Sequence, residues 1–261
     1  MSVLIYADRE HSFLRPQPEI IADVQNAEAD FGCVIPCFKC AAHLHESVRS
    51  LKFSKLSVDL VLVVDQEKVP SKAIKKILGS EDLPNGRIRV LHLGSNWGLA
   101  QARNAGMALL EQEFLLALDS DNLFCAEKAQ EALEIMTSQD ADFGYGFLTE
   151  FGSRSGVLSS VSRMPAPSFP PTNYIDAMAI YRKSSWDAVG GFRTLSIQGH
   201  EDYDFWIRAQ RKGMKITSFP FSLGKYRVRQ NSMINSLDND LKRESMLEIA
   251  AMNRDVSWVT S

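Results

Sequence analysis

From Phe31 onward, short unbroken apolar runs alternate along the chain with stretches whose apolar residues recur every three or four positions. The runs are Cys33-Val34-Ile35, closed by Pro36, then Val58–Val64, Ile88–Leu93 and Phe114–Leu118. A strand with one wet face alternates in polarity, so runs without alternation predict strands covered on both faces. Between them, Leu44, Val48 and Leu51 predict one helix, 71–78 a second and 100–112 a third. Strand and helix in alternation predict a single α/β domain with a mostly parallel central sheet flanked by helices, which binds its ligands beyond the carboxyl ends of the strands. Two further strands are expected at Gly144–Phe151 and Ala177–Tyr181. The Ser- and Pro-rich stretch 153–172 between them is expected to form a mobile loop. Residues 1–30, interrupted by Pro16 and Pro18, show little periodicity and are read as an N-terminal extension, 31–235 as the main domain and 236–261 as a helical tail.

Composition narrows the function. With 29 Lys plus Arg against 32 Asp plus Glu, the net charge of -3 provides no general attraction to a nucleic-acid backbone, so no nucleic-acid partner is expected. No run approaches the roughly 20 apolar residues that span a bilayer, and the first residues lack the form of a secretory signal. The expectation is a soluble, cytoplasmic chain, with peripheral contact at the inner face of a membrane left open. Cys33, Cys37 and Cys40 cluster ahead of His43 and His45, but a zinc site draws its second ligand pair from a distant segment and only Cys125 is there to supply it. Small reduced thiols around a strand end are the simpler reading.

The candidate chemistry lies at the strand ends. Asp119-Ser120-Asp121-Asn122 follows the last of the early runs, and two carboxylates one residue apart can hold a hard divalent cation that grips a diphosphate. Asp65 ends the second run, where it can accept a hydrogen bond from the imide N–H of a pyrimidine, and Phe38 offers either an apolar wall for the base or ordinary core packing. Gly98 permits close backbone approach; Arg103 can pair with a phosphate or Asp119, or face solvent; Asn104 and Gly106 suit helix packing. Glu201 and Asp202 follow Gly199 at a loop or helix start, backed by Phe205, Trp206 and Ile207 as a buried face.

Four stretches in order resemble the inverting glycosyltransferases of family 2, from about Cys33 to Met233. They are Val34 to Lys39, Leu62-Val63-Val64-Asp65, Asn96 to Gly106 and Gly190-Gly191-Phe192 with Gly199 to Arg208. The resemblance implies a glycosyltransferase A fold and transfer of a sugar from a nucleoside-diphosphate sugar, UDP-linked, to a hydroxyl of a glycan or lipid-linked glycan. It places Pro36, Phe38, Asp65, Gly98, Arg103, Asp119 and Arg229 at the donor, with Asp119 and Asp121 as ligands of Mn²⁺ or Mg²⁺. It favours Asp202 as the base that deprotonates the acceptor, with Glu201 contacting the acceptor or exchanging roles with it. Three positions depart from the family pattern: Arg229 stands near the position where many members place a metal-ligating histidine, Gln66 where a second aspartate is common, and Asn122 after the acidic pair. A dinucleotide-dependent oxidoreductase is disfavoured because no Gly-x-Gly-x-x-Gly follows the first strand. A sugar nucleotidyltransferase, or a binding module that keeps the fold without turnover, stays as the alternative.

Overall fold

The computed structural model describes residues 16–39, 42–52, 55–158, 173–229 and 239–254. Its centre is the parallel set formed by β2 (Phe31–Cys37), β3 (Val58–Val64), β4 (Gly86–His92) and β5 (Phe114–Ala117), in the order β4-β3-β2-β5. Helices α1 (Leu44–Arg49), α2 (Ser71–Leu78) and α3 (Leu99–Ala108) make the crossovers. Side chains of these strands alternate between two cores. Cys33, Ile35, Leu60, Leu62 and Val64 enter one, whereas Val34, Val61 and Val63 enter the other. That two-sided burial is why the runs carry no polar alternation. Gly106 of α3 lies flat on the second face, where a Cβ would sit 2.2 Å from Val34 Cγ2.

Antiparallel strands extend the parallel centre on both sides, so the sheet is mixed. Residues Glu19–Gln25, where the sequence shows little pattern, form β1 and pair antiparallel with β4. This strand is exposed along most of its length and has no buried face to imprint a period. Its place is fixed by the ladder and by a two-pronged contact from Arg87 to Asp23 at 2.8 and 2.6 Å. Beyond β5 the order continues through β9 (Ile180–Arg182), β7 (Phe143–Gly152), β10 (Ile216–Val228) and the short β6 (Leu123–Phe124), with β8 (Gly156–Leu158) hairpinned onto β7. Strand β9 starts later than the apolar pattern predicts, because Asp176 Oδ1 accepts the Met178 N–H at 2.8 Å and turns 176–178 away from the ladder. Helix α3 likewise stops at Ala108, short of the expected Gln112. The expected loop 153–172 is described only as far as Leu158, and no helix among the described residues is long and apolar enough to cross a membrane.

Helix α4 (Ala129–Ser138) covers the first core, and α5 (Lys183–Val189) and α6 (Glu201–Arg211) close the second. Tyr181, Trp186, Phe192, Phe205 and Trp206 form an aromatic cluster there, with Phe143 edge-on to Phe205 at 5.4 Å. The expected buried face behind Glu201 and Asp202 is therefore present, since Phe205, Trp206 and Ile207 are all buried. Helix α7 (Asn239–Met252) lies against α6 through Ile249, through Ser245 Oγ at 3.0 Å from His200 Nδ1, and through Asn253, which donates to Asp204 at 3.0 Å.

Candidate active site

The carboxyl ends of β2, β3 and β5 open into a cavity of about 810 Å³, and all ten residues assigned to a site from sequence line it. They come from segments as distant as Pro36 and Arg229, so the parallel topology is what assembles them.

Asp65 ends β3 with both carboxylate oxygens engaged by the turn ahead of α3. Oδ1 accepts the Trp97 N–H at 2.5 Å and Oδ2 the Gly98 N–H at 3.0 Å. Gly98 caps α3 with φ +87, and a Cβ there would lie 2.9 Å from Gln198 Nε2, so a side chain meets both strain and a neighbour. Asp65 thus builds the loop as well as bordering the cavity. Gln66, one of the departures, also braces a loop, since its Oε1 accepts the Lys39 N–H at 2.9 Å and ties the segment after β2 to that after β3. Phe38 on the former segment is 43% exposed, which excludes core packing and leaves its ring as an apolar wall of the cavity.

Of the three partners open to Arg103, the structure shows Asp119. Nη2 donates to Asp119 Oδ1 at 2.6 Å from a buried guanidinium. Burial opposes that charge, but Asp119, Glu201 and Asp202 more than offset it and raise the Arg103 pKa. Arg103 Nε has no hydrogen-bond partner among the described residues. Asp121 pairs with Arg229 at 2.5 Å, and its carboxyl pKa is raised, first by burial and then by Asp119, with Arg229 working against the shift. Asn122, the third departure, is buried and accepts the Arg227 N–H at 2.9 Å, locking the acidic turn to β10.

Glu201 and Asp202 occupy the first turn of α6, where the helix dipole favours negative charge. Glu201 is 2% exposed; Oε2 accepts the Gly199 N–H at 3.1 Å, and Oε1 has no partner among the described residues. Burial raises its pKa, opposed by Arg103. Asp202 accepts the Tyr203 N–H on Oδ1 and the Asn173 side-chain amide on Oδ2, each at 2.8 Å. Burial, followed by the nearby Asp176, pushes its pKa up to about 8. Asp176 is the residue that sequence reasoning missed. It lines the cavity, and burial followed by Asp119 pushes it up to about 6. It precedes its strand rather than ending it, so a rule that looks at carboxyl ends passes over it. Its one signal was a lone carboxylate directly before the apolar stretch that begins at Ala177.

Asp119 and Asp121 each give one oxygen to an arginine, and no three ligating side chains meet among the described residues. Two carboxylates close enough that Asp119 raises the proton affinity of Asp121, beside arginines suited to a diphosphate, still fit Mg²⁺ or Mn²⁺, which commonly takes one or two carboxylates and completes its shell with phosphate oxygens and water. The thiols of Cys33 and Cys37 lie in β2, and burial raises the Cys33 pKa; Cys125 is pushed up to about 11 by burial and by Glu127. Cys40 lies outside the described residues.

A family model described as Glycosyl transferase family 2 matches residues 33–204. Glycosyltransferase GlyG of Streptococcus pneumoniae serotype 4 is 27% identical over 124 residues, 47% of this chain and only 40% of GlyG. The putative teichuronic acid biosynthesis glycosyltransferase TuaG of Bacillus subtilis is 22% identical over 77% of this chain and 79% of its own length. WfaP of Escherichia coli, a UDP-Glc:alpha-D-GlcNAc-diphosphoundecaprenol beta-1,3-glucosyltransferase, is 23% identical over 81% and 82%. Among solved structures, S. aureus TarS 1-349 in complex with UDP-GlcNAc superposes with a TM-score of 0.69 at 20% identity, covering 87% of this chain and 67% of that one. Mannosyltransferase PcManGT from Pyrobaculum calidifontis, in complex with GDP-Man and Mn²⁺, gives 0.65 at 14% identity over 91% and 68%.

Proposed function

Because the chain belongs to glycosyl transferase family 2 and is a glycosyltransferase, we propose that it transfers a sugar from a UDP-linked donor to a glycan hydroxyl, with inversion, in polysaccharide synthesis. The observation that carries this reading is one cavity with two chemically distinct walls. Asp119, Asp121, Arg103 and Arg229 form a charged diphosphate wall, and Glu201 with Asp202 forms a carboxylate wall on the first turn of α6. The UDP-GlcNAc complex of TarS and the UDP-Glc in the name of WfaP support the choice of base. The names of TuaG and WfaP support an acceptor built for a surface polymer.

In this reading Phe38 covers one face of the base and Asp65, held by the 97–98 amides, borders its edge. Arg103 and Arg229 hold diphosphate oxygens. When bound, Mg²⁺ or Mn²⁺ held by Asp121 and Asp119 supplies positive charge to the leaving diphosphate. Asp202 takes the acceptor proton as its oxygen attacks the anomeric carbon from the face opposite the diphosphate, and Glu201 Oε1 receives an acceptor hydroxyl. Inversion needs only that one base.

A thermal-shift screen of nucleotide sugars with Mn²⁺ tests the reading, since a ligand that binds only the folded chain raises Tm. UDP-sugars should stabilise the chain and purine nucleotide sugars should not, and the product anomer should be inverted. Equal stabilisation by GDP-sugars removes the base assignment, and a retained anomer removes the single-base mechanism.

A further inference from the structure

Among the described residues, six cationic side chains line the cavity, and four of them have carboxylate partners. Arg103 pairs with Asp119, Arg154 with Glu150, Arg227 with Glu46 and Arg229 with Asp121. The other two, Lys242 and Arg243, lie in the first turns of α7, and neither enters an ion pair or side-chain hydrogen bond among the described residues. The helix that carries them is held in place. Ser245, Ile249 and Asn253 anchor α7 on α6, and Glu248 accepts the Ser196 N–H at 3.0 Å.

The position of these charges is informative. Lys242 acts electrostatically on His200, the residue that precedes Glu201 and Asp202 and itself lines the cavity. The same wall holds Glu201 Oε1, an acceptor atom on a side chain 2% exposed with no partner among the described residues, which calls for a hydroxyl donor from a ligand. The first turn of α6 and the Lys242 and Arg243 side chains of α7 meet at this wall. A group that offers hydroxyls to Glu201 and negative charge to Lys242 and Arg243 is a sugar bearing phosphate.

We propose that Lys242 and Arg243 form a phosphate subsite for the acceptor, so that the acceptor sugar is itself linked to phosphate or diphosphate. This rests on the transferase reading above. It also places acceptor selection in a helix outside the matched residues 33–204, contributed by this chain's own C-terminal segment.

Three synthetic acceptors with one terminal sugar separate the possibilities: N-acetylglucosaminyl diphosphate carrying an undecyl chain, the same undecyl glycoside without phosphate, and a glycosylated polyol-phosphate polymer. The full chain should bind at least one phosphate-bearing acceptor about ten- to hundredfold more tightly than the neutral glycoside. Which one it prefers tells a lipid diphosphate from a phosphodiester polymer. Lys242→Ala with Arg243→Ala should erase that preference, Lys242→Arg should restore part of it, and Lys72→Ala, exposed on α2, should leave it intact. Calorimetric binding without donor reads the subsite independently of turnover, so a failed donor screen and a failed subsite are told apart. Equal binding of neutral and phosphate-bearing acceptors, or a preference that survives the double alanine variant, overturns the proposal.

Discussion

Asp202 enters the cavity with both oxygens receiving hydrogen bonds and with a proton affinity raised by burial and by Asp176. The folded free protein holds its proton up to about pH 8, whereas an ordinary aspartate releases it near 3.8. Two consequences have opposite signs. A base must be deprotonated, so kcat/KM should rise with pH through the region near 8 and level off above it. Stability should fall as pH rises from 3.8 to about 8, because the folded state binds the proton more tightly than the unfolded chain, and this contribution is fully present below 3.8 and lost once pH passes 8. Asp202→Asn should flatten the stability slope in denaturation curves taken at several pH values. It should also lower transfer by roughly 10²–10⁴-fold while donor binding persists. If Glu201→Gln alone abolishes turnover, the two roles exchange.

Among the secondary-structure elements, β3 and α2 are legible to the residue because each expresses a single period: full burial on both faces at Val58–Val64, and an amphipathic stripe at Ser71–Leu78. Strand β1 is not legible, because an exposed edge strand carries no burial pattern, and β9 is displaced by a side-chain turn at Asp176 that periodicity cannot register. The start of α3 joins fold to site. Sequence order presents Asp65 as a contact to the base, and its grip on the Trp97 and Gly98 amides depends on a proximity in space that sequence order does not give. Asp65→Ala should therefore cost stability, about 1–3 kcal/mol for the lost buried hydrogen bonds, as well as UDP affinity. Gly98→Ala should cost a comparable amount through its φ of +87 and the approach to Gln198. Since both changes loosen one turn, the double variant should lose less than the sum of the singles in chemical denaturation. Simple additivity would mean that Asp65 and Gly98 act separately.

Over the whole molecule, the cavity gathers charges from the entire length of the chain and keeps them close to balance by pairing them across elements. The two aspartates after β5 are visible as a motif. That Arg103 and Arg229 bind them is not visible, because the arginines arrive from α3 and from the end of β10. The Arg229–Asp121 pair has a consequence for metal use. Arg229 is partly exposed and sits on the carboxylate expected to hold the cation, so the two positive groups compete for Asp121. A bound diphosphate relieves the competition by giving Arg229 its own oxygens, which makes cation and nucleotide bind cooperatively. Arg229→Ala should then tighten Mn²⁺ binding to the nucleotide-free chain, by roughly tenfold at most for one partly screened charge. The same variant should weaken UDP when EDTA is present and reduce the mutual enhancement between Mn²⁺ and UDP. Asp121→Ala should remove the metal-dependent part of UDP binding altogether. Calorimetric titration of Mn²⁺ with and without UDP decides the matter, and unchanged UDP affinity in Asp121→Ala, with and without EDTA, would place the cation elsewhere.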